Sequence, residues 1–333
     1  MRSRNFRSSP LIATVIIFLA AGCSTAGNNA ALSSASEPDI TLAALPTADL
    51  AGLYIAQDNG LFAEQGLRVT IEKIPSSAAI IADQLRGKVD ISAGSYVPYI
   101  VAQAAGARFR ILAEASTLRP DTRVLVTTAD SRVTTVADLV GKTIGVNGTN
   151  SIGALLISAL LSGQGISLGK VHFVTDSGGF PAMPGQLQDR AWDAAFLAEP
   201  YVSLAGEKYG ERVFVDLDQG ATLNFPIDGY VATQAWAKKY PKTAAAFVRA
   251  IQEGQALADT DRAAVEAAIG QSDKLPPEVT AVMALPDFPT GPVDVTRIQR
   301  EAEAMLQFGM LGSEYTAEVQ QGALVESMIS PGS

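Results

Sequence analysis

QLRGKVDISAGSYVPY (residues 84–99) and QLQDRAWDAAFLAEPY (residues 186–201) are two versions of one pattern. Each reads as the end of a helix, a short polar turn, a hydrophobic residue, an Asp, an apolar strand, and then Pro-Tyr at the start of another helix. Asp90 and Asp193 correspond, while the turns differ by one residue. Two similar α/β units far apart in one chain point to two lobes.

The sequence on either side repeats the alternation. DITLAAL, LRVTIEKI, KVDISAG and FRILAEA read as strands, separated by the helical patterns GLYIAQDNGLFAEQG, SSAAIIADQLRG and VPYIVAQAAG. From Arg123 the pattern restarts with RVLVTTA, the helix-sized TVADLVG, KTIGVN, SIGALLISALLSGQG, KVHFVT, MPGQLQDRA, WDAAFLA and PYVSLAGEKYG. RVFVDLD and FPIDGYVAT follow, and the remainder is mostly helical. Such alternation predicts an α/β fold of two mixed sheets covered by helices.

Upstream of the body, MRSRNFR carries Arg2, Arg4 and Arg7 and no acid, and LIATVIIFLAAG is apolar but shorter than the roughly 18–20 residues a spanning helix needs. This is the profile of a secretory signal peptide over residues 1–22. Cys23, the only cysteine of the chain, follows the small residues Ala20, Ala21 and Gly22. The segment resembles a bacterial lipoprotein signal, in which the thiol is acylated and the chain cut before it, although Ala20 stands where Leu is commonest. Residues 23–38 are small, polar and almost uncharged, the composition of a flexible tether.

Composition excludes several classes. Without residues 1–22 the chain has 22 basic and 34 acidic residues, so no basic excess exists for nucleic acid. One Cys and one His, His172, cannot build a zinc site, and with Cys23 at the anchor position they leave almost no material for nucleophile–imidazole chemistry. His172 lies in the strand pattern KVHFVT and reads as a packed or edge-strand residue; Trp192 and Trp236 read as packing, and Lys238-Lys239 as a solvated helix face.

GLYIAQDNGLFAEQGLRVTIE, QLRGKVDISAGS, DLVGKTIGV, MPGQLQ with WDAAFLAEPY, and FPIDGYVAT followed by YPKTAAAFVRA stand in an order and spacing that resembles the solute-binding proteins of bacterial ABC importers for nitrate, sulfonates, taurine and thiamine-pyrimidine precursors. The resemblance covers roughly residues 40–260. It implies the two-lobed type II periplasmic-binding-protein fold, with residues 39–127 and 219–333 in the first lobe, 128–218 in the second, and hinge crossings near 127–130 and 216–220. It further implies a monomer without cofactor, tethered to the outer face of the membrane, that closes on a small molecule and delivers it to an ABC permease and ATPase. Two other roles are open: a ligand-binding lipoprotein serving a sensor, and an enzyme on the same fold. Fungal thiamine-pyrimidine synthases share such a fold but depend on a cysteine-rich motif and histidines, which this chain lacks.

In open α/β sheets ligands sit beyond the carboxyl ends of the strands, at helix N-termini. Polar residues at such junctions are Thr47, Asp49, Ser76, Ser77, Ser95 and Tyr96 in the first lobe, and Asn150, Ser151, Asp176, Ser177 and Glu199 in the second. Thr117 and Asp228 are further candidates, Arg119 and Arg123 lie near, and each small polar residue also reads as a plain helix cap. Glu199 is the foremost, because it ends an apolar strand just before Pro200. Acids, amides and hydroxyls dominate the set, which favours a neutral or cationic nitrogen-bearing solute over a bare oxyanion.

Overall fold

A computed structural model describes residues 39–330; the expected signal peptide, Cys23 and the expected tether fall outside the described residues. The two halves of the repeat fold alike. Asp90 precedes strand β3 (Ile91–Ser95) and Asp193 precedes β8 (Ala194–Ala198). Each carboxylate accepts a backbone N–H of the neighbouring parallel strand, that of Thr41 in the first half of β1 at 3.0 Å and that of Thr143 at the start of β6 at 2.9 Å. Each Asp N–H donates back to the carbonyl of that same residue. The pair of bonds sets the register of a parallel strand, which has no hairpin to set it. Both preceding turns need a left-handed residue, supplied by Gly87 (φ 72°) and by Arg190 (φ 59°).

Ten strands form two sheets of identical plan. The first, in the order β2 (Arg68–Lys73), β1 (Asp39–Ala44), β3, β10 (Pro226–Thr233), β4 (Phe109–Thr117), mirrors the second, β7 (His172–Thr175), β6 (Thr143–Val146), β8, β5 (Arg123–Thr127), β9 (Arg212–Asp216). In each sheet three strands run parallel, and the strand beside the repeat strand, β10 or β5, is antiparallel to both neighbours. The chain therefore passes between sheets at residues 118–122 and 217–225. The first crossing precedes residues 127–130 because β5 belongs to the second sheet, and the second runs from 217 to 225. The crossings hold each other: Leu118 N–H donates to Phe225 O at 2.8 Å, and Leu217 N–H to Arg123 O at 3.0 Å.

The described residues form one unit. Helix Ile152–Gly163 is largely apolar, and its residues 152–161 are buried against Phe196 of β8 and helix Val295–Gln307. Helix Val295–Gln307 is amphipathic, burying Ile298, Glu301, Ala302 and Met305. The C-terminal helices, expected on the first lobe alone, pack in one apolar cluster with helix Tyr96–Ala104 and with the second sheet. The segment TVADLVG, expected as a helix, is only a 3-10 turn at Val136–Leu139, closed by a capping box between Thr135 and Asp138. His172 is exposed on edge strand β7, and Trp192 fills the space over Gly145. No helix among the described residues is long and apolar enough to cross a membrane.

Candidate functional site

The carboxyl ends of the parallel strands in the two sheets face each other, and the candidate residues divide there into two groups. The first lines a cavity of about 730 Å³ at the mouth of the cleft: Ser76 and Ser77 from the first lobe, Asn150, Ser151, Asp176 and Ser177 from the second. Ser76 caps helix Ser77–Leu85 and Ser151 caps helix Ile152–Gly163, each accepting an N–H at 3.4 Å. The cap and cleft readings of these two serines therefore hold together, since a cap places its side chain where the helix N-terminus opens. Asp176 folds back to accept the Gly178 N–H at 2.6 Å. Behind this loop Gly179 (φ 57°) meets Pro75 of the first lobe so closely that a Cβ would lie 2.3 Å from the Pro75 carbonyl oxygen. The lobes touch at this rim.

The second group is buried deeper. Ser95, Asp228 and Ser116 stand in register across β3, β10 and β4. Facing them, Arg123 is 2 % exposed and donates from Nη2 to Asp49 Oδ2 at 2.6 Å, while Asp49 Oδ1 accepts Ser116 Oγ at 2.8 Å. Asp49 belongs to the first lobe and Arg123 opens a strand of the second, so one buried ion pair joins them. Asp228 Oδ2 lies 3.9 Å from the same guanidinium, too far for a hydrogen bond. Ser95 Oγ, Tyr96 Oη and Arg123 Nε are buried without a hydrogen-bond partner, while the Thr47 hydroxyl lies against the Asp228 carboxyl. Burial, and then the charge of Asp49, push the Asp228 carboxyl up to about 8. One guanidinium thus serves two carboxyls, and the second holds its proton near neutral pH.

Glu199 is 2 % exposed, with both oxygens engaged. Oε1 accepts from Ser203 Oγ at 2.9 Å and Ala284 N at 3.0 Å, and Oε2 from Ser203 N at 3.1 Å. Its carbonyl accepts the Ala48 N–H at 2.9 Å. Burial raises its carboxyl to about 7 in spite of these bonds. The structure thus places Glu199 as the peg joining helix Tyr201–Tyr209 to the loop at Ala48 and the segment at Ala284. Thr117 ends β4 and is bridged to Asp287 beside the hinge, and Arg119 lies outside, 3.5 Å from Asp287. Ser116 and Ala284 carry no sequence signal as site residues. Arg123 does carry one, a charge immediately ahead of the apolar run VLV.

These features define the class: a two-lobed α/β protein with a polar cleft between paired sheets, the architecture of periplasmic binding proteins. The chain belongs to the NMT1/THI5-like family, whose model matches residues 47–262. No curated protein sequence matches it. Among solved structures it resembles the alkanesulfonate-binding protein SsuA from Xanthomonas axonopodis pv. citri bound to MOPS, with 19 % identity over 84 % of this chain and 96 % of that one, TM-score 0.71. It is also similar to the periplasmic nitrate-binding protein NrtA from Synechocystis PCC 6803, at 15 % identity, 86 % of each chain and TM-score 0.70. The desulfurization enzyme DSZB shares the fold, with 16 % identity, 87 % of this chain, 98 % of that one and TM-score 0.65.

Proposed function

We propose that this protein is a non-catalytic receptor, exported and held by lipid on Cys23, that closes its two lobes on a small solute and hands it to an ABC permease and ATPase. The solute carries an N–H-rich or ammonium group. One observation carries the ligand class: at the junction of the lobes the carboxyls of Asp49 and Asp228 share a single guanidinium, and beside them Ser95 Oγ is buried with no partner. A buried polar atom left unpaired costs about 1–3 kcal/mol, so a solute N–H reaching this oxygen recovers that cost on binding. A bare oxyanion would meet the carboxyls of Asp49 and Asp228, which repel it, and a guanidinium whose Nη2 is already committed to Asp49. The lobes themselves are joined by two mutually bonded crossings, the geometry of hinge closure.

A thermal-shift screen tests this with four probes: taurine, an aminopyrimidine, an alkanesulfonate without an amine, and nitrate. A true ligand at 100 times its dissociation constant stabilises the folded state by about 2.7 kcal/mol. The reading requires a shift from a probe that carries N–H groups, taurine or the aminopyrimidine. A shift from nitrate or the plain sulfonate alone keeps the receptor and overturns the ligand class. Turnover of any probe overturns the non-catalytic reading.

A further inference from the structure

A second concavity, of about 950 Å³, lies away from the cleft, where edge strand β4 meets helices Gln234–Lys239 and Pro241–Thr260. Leu112, Ala244 and Val248 contribute an apolar floor, and Arg110, Lys238 and Arg249 are its charged lining; no carboxylate lines it. Among the described residues none of these three cations is in an ion pair, although acidic residues outnumber basic ones by nine in the whole chain. Lys239 and Lys242 are exposed in the same WAKKYPK segment. Trp236 and Tyr240 of that segment pack ring to ring at 5.6 Å, and Tyr240 is 40 % exposed. Cations over an apolar floor, with a Trp–Tyr pair beside them, match the headgroup region of a bilayer, where amphipathic aromatics and Lys or Arg concentrate.

Topology puts this groove at a particular end of the molecule. β4 is antiparallel to β10, β10 to β3, and β3 is parallel to β1, so β4 and β1 run the same way. Their first residues, Phe109 and Asp39, share the end of the first sheet opposite the cleft. Arg110 and Gln234 of the groove sit at that end, and so does Asp39, where the tether joins the body. Sixteen tether residues reach at most about 55 Å, so the groove stays within range of the surface to which Cys23 is attached.

We propose that this groove rests the body, between encounters with the permease, on anionic phospholipid headgroups, with the cleft turned away from the membrane. The proposal rests on the lipid-anchor reading for its geometry and on the groove itself for its chemistry. Each cation near an anionic surface contributes about a fivefold gain in association, and the three lining the groove about a hundredfold.

The test uses the full chain, processed and lipidated in bacterial membranes and transferred to vesicles. Since Cys23 is the only native cysteine, Ala245→Cys on the exposed rim provides a single free thiol for a polarity-sensitive fluorophore. On vesicles of equal parts phosphatidylglycerol and phosphatidylcholine the emission should shift to the blue, and raised salt or combined Arg110→Gln, Lys238→Gln and Arg249→Gln should reverse the shift. Identical emission on pure phosphatidylcholine, or an undiminished shift in the triple variant, overturns the proposal. A shift produced by soluble polyglutamate and not by lipid overturns it too, assigning the groove to an acidic protein face. Co-flotation with pure phosphatidylcholine vesicles reads the anchor separately. If it is absent, the anchor reading fails, and flotation induced by phosphatidylglycerol alone still reads the groove.

Discussion

Replacing Asp228 with Asn removes a titration that the fold imposes. In the folded protein the Asp228 carboxyl is raised to about 8, by burial first and by Asp49 second, whereas an unfolded Asp titrates near 3.9. Between those values the folded state holds about one proton more than the unfolded state at this site. Stability from this carboxyl is thus fully present below about pH 4 and is lost as pH rises toward 8, with a slope of about 1.4 kcal/mol per pH unit. Over pH 5 to 7 that is about 3 kcal/mol. Burial also raises Glu199, Glu114 and Glu301, which slope the same way, so the informative quantity is the difference between proteins. Urea unfolding at pH 5, 6, 7 and 8 should show Asp228→Asn losing less stability per pH unit than the parent, and gaining on it most at pH 8. Parallel curves would refute the reasoning, because they would mean that Asp228 binds no more protons folded than unfolded.

Three further outcomes are expected. Glu199→Gln should cost stability by about 1 kcal/mol through the Ser203 N–H bond it weakens, and leave solute affinity within twofold by calorimetric titration; a tenfold loss would restore Glu199 as a ligand contact. Gly179→Ala places a methyl against the Pro75 carbonyl and puts a non-glycine residue at φ 57°, at a cost of about 1–2 kcal/mol. Small-angle scattering should then show a larger radius of gyration for the empty protein, and an unchanged radius would remove this contact as a brace of the closed lobes. Cys23→Ser should abolish recovery in the membrane fraction, and normal processing of the variant would sink the lipid anchor.

What the sequence disclosed follows the range of the interaction. The repeat around Asp90 and Asp193 was legible because strand start, turn and carboxylate all lie within sixteen residues, and the same local solution appears twice. Ser76 and Ser151 were legible because a helix cap is local. β5 was legible as a strand but not as a member of the second sheet: RVLVT has one pattern whichever sheet it joins, and its partner β8 lies some seventy residues on. The ion pair of Asp49 with Arg123, and the bond from Ala284 to Glu199, span 74 and 85 residues. No local pattern records such pairings. Glu199 drew attention for a sound reason, its place at a strand end, yet the fold fills its acceptor positions with protein donors.

The ordering of strands gives the closed cleft a lever arm. Both crossings attach to β4, β10, β5 and β9, at one side of each sheet, while Pro75 follows β2 and Gly179 follows β7, at the other. Four inter-strand spacings, about 19 Å, separate β4 from β2. A rotation of about 10° at the crossings therefore displaces the Pro75–Gly179 rim by about 3 Å, enough to break its packing. Beside the axis, Arg123 and Asp49 travel a small fraction of that distance. The buried ion pair can then persist in both states as a pivot, and the energy that decides between open and shut resides in the weak neutral contacts at the rim.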